Sequence, residues 1–266
     1  MGDGVVRAAA GLVALLVLSS CGQDDQYVGA VATAAHTVGS CSKIATPEEL
    51  YTASDVAPPV RCDEPHQTET IFAGQLDGPL AAKAERPDVE QLDTVAAERC
   101  RAVDLRSYLG ARPRDSFAVN VLAKVPTRAE WSAGDRTFRC EAVPVAASGA
   151  APQISVPLRG VLATAGSAAI RVCRVGDQQL PCDQPHTAEE VNAWLLASGS
   201  VDGAERPEQR CGPYVTEFLG GPLKEFPDLA VVAIESIVQT QRAIKCAVGR
   251  RDGQLIAGTL AQDGRK

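Results

Sequence analysis

The chain is short of the large side chains that fill protein cores. Its 266 residues hold five Phe, four Tyr and two Trp. With so few bulky groups to bury, cross-links become useful to stability. Catalytic signatures are missing as well. There is no G-x-S-x-G and no H-E-x-x-H, and no Ser or Cys nucleophile recurs beside a histidine, which argues against hydrolase chemistry of those types. No C-x-x-C occurs, so the paired short ligand spacing of many zinc sites is absent. Positive charge is in deficit, with 26 Lys and Arg against 33 Asp and Glu and a net charge of -7. That balance argues against a nucleic-acid partner or a polybasic membrane contact.

What the chain does have is cysteine, nine in all, divided as one, four and four. Cys21 stands alone behind an apolar N-terminal run. Cys41, Cys62, Cys100 and Cys140 follow in the first half, and Cys173, Cys182, Cys211 and Cys246 in the second. Residues 1–20 read as an export signal: Arg7 is its positive region and Ala8–Leu18 its apolar region, too short to span a bilayer as a mature helix. Leu18-Ser19-Ser20-Cys21 resembles a bacterial lipobox, in which the cysteine thiol is alkylated by a diacylglyceryl group, the peptide is cut before it and the new amine is acylated. Dual acylation of this kind anchors durably. Lipidation explains the odd cysteine, which an ordinary secretory signal would leave as a free thiol. The expectation is a lipoprotein with Cys21 in the bilayer, held at the extracytoplasmic face of the plasma membrane.

The second cysteine of each set opens the same motif, C-D-x-P-H-x-x-E. It reads Cys62-Asp63-Glu64-Pro65-His66-Gln67-Thr68-Glu69 in the first half and Cys182-Asp183-Gln184-Pro185-His186-Thr187-Ala188-Glu189 in the second. Further landmarks follow in the same order. Tyr108-Leu109-Gly110 corresponds to Phe218-Leu219-Gly220, Arg136 and Arg242 each precede the final cysteine by four positions, and Leu158–Ala163 resembles Ile256–Ala261. The pattern describes two tandem modules behind a tether: 1–20 signal, 21–37 lipidated tether, 38–165 first module, 166–262 second and degenerate module.

Strands are expected at Thr68–Ala73, Phe117–Val125, Thr137–Val145, Leu229–Val238 and Arg242–Val248, and helices at Val89–Leu109 and Arg206–Leu219, each closed by Leu-Gly. Residues 158–163 and 256–261 read as final strands. Thr187–Leu196 has helical composition, but its register with Gln67–Ala73 favours a strand. The fold class is therefore α+β, each module being a small antiparallel sheet with one main helix. Among the ways of pairing four cysteines per module, order favours Cys41–Cys62, Cys100–Cys140, Cys173–Cys182 and Cys211–Cys246.

The repeated motif admits three readings. As a structural turn, Asp63 or Asp183 starts it, Pro65 or Pro185 sets its geometry, and the imidazole bonds backbone or the nearby carboxylate. As a metal or small-ligand site, Cys62/His66/Glu69 and Cys182/His186/Glu189 supply donors. As a catalytic pair, His66/Glu69 and His186/Glu189 are base and orienter. The turn is favoured, and no cofactor, metal or catalytic residue is expected. Arg136 and Arg242 are expected to anchor a carboxylate or a carbonyl, and Trp131 to be a core residue aligned with Ile237.

These residues resemble a family of actinobacterial exported proteins that carry a septum-formation domain. The first half matches its pattern at Gly39, Cys41, Cys62, Pro65, His66, Glu69, Cys100, Pro126, Trp131, Gly134, Arg136 and Cys140. The second keeps Cys173, Cys182, Pro185, His186, Glu189, Cys211, Arg242 and Cys246, and lacks the Pro and Trp. The resemblance implies an envelope-anchored, non-enzymatic protein that contacts an envelope protein or a cell-wall polymer, with a link to cell division.

Overall fold

A computed structural model describes residues 36–44, 58–146, 149–196, 206–238 and 241–261. The expected export signal, Cys21 and most of the expected tether lie outside them. Among the described residues no helix is long and apolar enough to cross a membrane.

The first half contains β1 (Cys41–Ser42), β2 (Pro59–Val60), β3 (Thr68–Gln75), β4 (Val119–Lys124) and β5 (Thr137–Pro144). They form one sheet in the order β2-β1-β3-β5-β4. Its helices are α1 (Gly78–Ala81), α2 (Val89–Arg101), α3 (Leu105–Tyr108) and α4 (Arg128–Ser132). The second half contains β6 (Val172–Val175), β7 (Gln178–Pro181), β8 (Ala188–Leu196), β9 (Leu229–Val238), β10 (Gln241–Arg250) and the helix α5 (Pro207–Leu219). Its sheet order is β7-β6-β8-β10-β9. Every pairing in both sheets is antiparallel, and the two orders are the same once strands are matched in sequence. The chain is α+β, and residues 188–196 are strand, as register and not composition indicated.

One helix packs on each sheet. α2 buries Leu92, Ala96 and Cys100, and Cys100 is bonded to Cys140 of β5. α5 buries Cys211, Val215, Phe218 and Leu219, and Cys211 is bonded to Cys246 of β10. The buried stripe of α5 therefore carries its own cross-link, at its N-terminal end. Pro213 lies inside α5 but on its exposed side, where water can satisfy the carbonyl that loses its partner. Gly220 ends α5 at φ 71°, a left-handed cap that glycine takes without steric cost. The other two cystines, Cys41–Cys62 and Cys173–Cys182, tie the two-strand edge of each sheet.

Three expectations need correction. The helix expected over 89–109 breaks after Arg101, because Asp104 leaves helical geometry and its carboxylate accepts from Ser107 N–H at 3.0 Å, starting α3 anew. Residues 158–163 and 256–261 are not strands. The first is a turn leading into a 3-10 segment at Val161–Ala163, and the second makes a single bridge, Ile256 with His186. Their backbone donors are turned toward carboxylates described below. Trp131 and Ile237 are not equivalent either. Trp131 is buried in α4 and donates to Lys83 O at 3.1 Å, whereas Ile237 is 75% exposed in β9. The connections differ: α4, held by a Thr127/Glu130 capping box, lies between β4 and β5, while β9 and β10 pair up to Val238 and Gln241.

The two halves interlock. Residues 112–117, which precede β4, reach the second sheet: Asp115 bridges Val191 and Phe117 bridges Arg171. Asn192 N–H donates to Arg114 O at 2.9 Å, and Arg114 pairs with Glu217 of α5 at 2.6 Å. The described residues belong to one compact unit.

Candidate functional site

The two copies of the motif take the same position, at the crossing from the edge strands into β3 or β8. A tight turn opens each, closed by Glu64 N–H to Arg61 O at 3.0 Å and by Gln184 N–H to Pro181 O at 3.2 Å. The turn thus starts before Cys62 and Cys182, and Asp63 and Asp183 stand inside it. The Asp63 carboxylate lies on the Arg61 guanidinium, 2.8 and 2.5 Å away, and that hydrogen bond holds its pKa below the ordinary carboxylate range. Pro65 and Pro185 then lead the chain into the buried histidines.

His66 and His186 are both fully buried. Each is pinned by its own backbone, His66 exchanging hydrogen bonds with Ile154 (2.9 and 2.9 Å) and His186 with Ile256 (3.1 and 2.7 Å). His66 Nδ1 lies 2.8 Å from Glu64 O, and His186 Nδ1 lies 2.7 Å from Gln184 O. A carbonyl only accepts, so Nδ1 is the donor in both, and in a neutral ring Nε2 then holds the lone pair. Both Nε2 atoms are buried without a hydrogen-bond partner among the described residues. Burial lowers the pKa of His186, with only partial opposition from Gln184 O, which favours this neutral form.

Glu69 and Glu189, three positions on, are also buried. Glu69 accepts from Tyr108 Oη and from Leu158 N–H, both at 2.5 Å. Glu189 accepts from Leu260 N–H at 2.5 Å and from Thr259 Oγ1 at 2.8 Å. The donor chemistry is the same, one backbone N–H and one hydroxyl, but the hydroxyl comes from different places. Where the first half has Tyr108 at the end of its helical segment, the second has Phe218, and Thr259 supplies the missing group. Burial pushes the Tyr108 phenol up, helped by its bond to Glu69. Burial also raises Glu189, and Arg171 at 3.7 Å offsets part of that. Each carboxylate thereby fastens a distant segment, 158–163 or 256–261, onto the sheet.

Arg171 joins the halves at this level. It donates to Asp115 Oδ1 at 2.9 Å and to Leu162 O at 3.2 Å, inside the protein. Arg112 adds a 3.4 Å contact to the same Asp115. Sequence reasoning missed Arg171, Asp115, Tyr108 and Thr259. The Tyr-to-Phe change within the repeated Leu-Gly landmark was the one available signal. A second buried acid, Glu190, follows Glu189 and is met by Arg174 at 2.5 Å, Gln179 at 2.8 Å and Lys245 at 3.5 Å. The Lys245 ammonium lies 4.8 Å from the Trp194 ring centroid, and burial lowers its pKa against the pull of Glu190.

Arg136 and Arg242 find partners of the kinds expected. Arg136 donates to the carbonyls of Ala81, Trp131 and Asp135 at 2.7–2.9 Å and stacks on Trp131 at 3.7 Å. Arg242 pairs with Glu235 at 2.6 Å on the surface.

The metal reading can be tested on donor chemistry. Cys41, His66 and Glu69 each offer an atom within 4.8 Å of the others, and so do Cys173, Cys182 and His186. The sulfurs belong to cystines, which lack the thiolate that binds metal. The carboxylate of Glu69 is already engaged by donors of its own chain. The first set, moreover, contains Cys41 and not the motif's own Cys62. In the oxidised protein the residues present do not fit a metal.

A family model described as septum formation matches residues 38–242. No curated protein and no solved structure matches the chain.

Proposed function

The chain belongs to the septum formation family, and on that premise we propose that it is a non-enzymatic cell-envelope lipoprotein acting in septum formation. In this reading Cys21 anchors the protein to the outer face of the plasma membrane, residues 21–37 are a tether, and 38–165 and 166–262 are two copies of one module. The protein works by contact with an envelope protein or a cell-wall polymer.

One observation carries the non-enzymatic reading. In both halves the histidine and the glutamate of the C-D-x-P-H-x-x-E motif are buried and held by the chain itself, while Asp63 and Asp183 stay exposed. His66 and His186 are fixed to carbonyls, Glu69 and Glu189 hold backbone N–H groups, and Cys62 and Cys182 are oxidised. A catalytic base must reach its substrate within hydrogen-bond distance, and both histidines and both glutamates are buried. The motif is a scaffold, and recognition belongs to the surface.

The test is imaging of a fluorescent fusion together with deletion of the gene. Enrichment at division sites and aberrant septa on deletion are expected. Uniform distribution with normal septa would overturn the proposal.

A further inference from the structure

The two copies of the motif differ in how their cystines meet solvent. Cys173 and Cys182 are both fully buried, whereas Cys62 is half-buried and its partner Cys41 is fully buried. A thiolate arriving from solvent therefore reaches Cys62 Sγ, and Cys41 is the sulfur that leaves. Cys41 leaves into a set of ligand atoms. Its Sγ, a ring nitrogen of His66 and a carboxylate oxygen of Glu69 all lie within 4.8 Å of one another. Cys41 Sγ is 3.6 Å from Glu69 Oε2, close to the edge of a zinc tetrahedron whose Zn–S and Zn–O bonds are ~2.3 and ~2.1 Å.

His66 is arranged as metal-bound histidines are. Glu64 O accepts from Nδ1 at 2.8 Å, which fixes the ring and leaves the lone pair of the neutral imidazole on Nε2. That atom is buried and has no hydrogen-bond partner among the described residues. An unmatched buried acceptor costs free energy, and the oxidised fold supplies nothing to offset it. Glu69 accepts from Tyr108 on Oε1 and from Leu158 N–H on Oε2, so each oxygen keeps a lone pair.

We infer that the first copy, once its cystine is reduced, is a binding site for a thiophilic divalent cation of the zinc type, held by Cys41, Cys62, His66 Nε2 and Glu69. The reductant is a dithiol. One of its thiolates attacks Cys62 Sγ and the Cys41–Cys62 bond breaks. Its second thiol then resolves the mixed disulfide, and the reductant leaves as a cyclic disulfide. The cystine has gained two electrons and two protons, and the cation displaces those two protons from the thiols. Two thiolates and a carboxylate exceed the charge of the cation by one, and that excess rests on Glu69, where Tyr108 and Leu158 already donate. The second copy is not such a site. Its cystine is shielded, and no carboxylate joins Cys173, Cys182 and His186 in their ligand set. Glu189 instead accepts from Thr259 with both oxygens. Oxidised, the motif remains a scaffold, and the inference does not depend on the septal role.

The test uses the full chain in detergent, reduced with a limiting dithiol under nitrogen and then freed of it. Mapped alkylation should find Cys41 and Cys62 opened before Cys173 and Cys182. Calorimetric titration with Zn2+ alone should show one cation bound per chain, and Co2+ should give a tetrahedral, thiolate-bound spectrum. The oxidised chain should bind neither. His66→Asn should weaken binding about tenfold or more, and His186→Asn should leave it unchanged. Cys62→Ser needs no reductant. It keeps Cys41, His66 and Glu69 together with the other three cystines closed, and should bind Co2+ through one thiolate. Failure of both the reduced wild type and Cys62→Ser to bind either cation would overturn the inference. So would equal binding by the His66→Asn chain, loss of folded tryptophan fluorescence when this cystine opens, or opening of Cys173–Cys182 first.

Discussion

Arg171 donates to Asp115 at 2.9 Å with both side chains out of water, and the two residues come from different halves of the chain. A buried ion pair need not stabilise much against an apolar pair of equal volume, but removing one partner leaves a bare buried charge. Arg171→Ala is therefore expected to cost about 3–5 kcal/mol. Arg171→Met combined with Asp115→Leu should cost clearly less. Urea denaturation of the three proteins checks this. Because residues 112–117 are built into the second sheet, wild type should unfold in one transition seen by Trp131 and Trp194 alike.

The Glu69 and Glu189 carboxylates should be stability determinants of similar size. Glu69→Ala and Glu189→Ala each strand a buried backbone N–H, and that desolvation costs about 1–3 kcal/mol beyond any cavity. Tyr108→Phe and Thr259→Val remove one hydroxyl donor each and should cost about 1 kcal/mol. The compensating exchange makes a sharper prediction. Phe218→Tyr should add nothing in a wild-type background, because Thr259 already serves Glu189. Thermal melts at a fixed pH suffice.

Acid and neutral stability should be governed in opposite senses by Glu189 and His186. Burial raises the pKa of Glu189 in the fold. Its contribution is therefore full below the ordinary value of ~4.3 and is lost as pH rises through the folded value. Burial lowers the pKa of His186, so its contribution is present above ~6.5 and is lost as pH falls through the folded value. Relative to wild type, Glu189→Gln should gain stability as pH is raised from about 4.3 to about 6.5, the range between these two ordinary values. His186→Asn should gain relative to wild type as pH is lowered over the same range.

The four cystines should rank by the loops they close, which span 21, 40, 9 and 35 positions in chain order. Loop entropy gives about 4 kcal/mol for Cys100–Cys140 and just under 3 for Cys173–Cys182. Paired Cys→Ala variants, compared by denaturant midpoint, should follow that order. Alkylation of the native protein under non-reducing conditions should leave all eight cysteines unmodified.

Much of this was legible in the sequence, for identifiable reasons. The strands carry apolar alternation or branched residues, and the motif spacing carries register, which is why residues 188–196 read as strand against their helical composition. The cystine partners lie next to each other in cysteine order because each closes a local hairpin or pins a helix to its neighbouring strand. The buried Arg171–Asp115 pair was invisible, because a lone Arg and a lone Asp far apart in sequence look like surface residues. Residues 158–163 and 256–261 were misread as strands since their apolar residues do enter the core. What they lack is a strand partner, and their N–H groups go to Glu69 and Glu189 instead. The helix over 89–109 was read as continuous because its apolar stripe persists across the Asp104 break.

On the proposed reading, the repeated histidine motif builds the scaffold and performs no chemistry. Asparagine can place an N–H near where Nδ1 stands and has nothing at the Nε2 position. The most direct measurement is septum morphology in a deletion strain carrying the chain with His66→Asn and His186→Asn, scored at matched protein level. Normal septa are expected whenever the variant accumulates as wild type does. A variant that accumulates fully at the membrane, keeps its four cystines and still fails to restore the septa would contradict it.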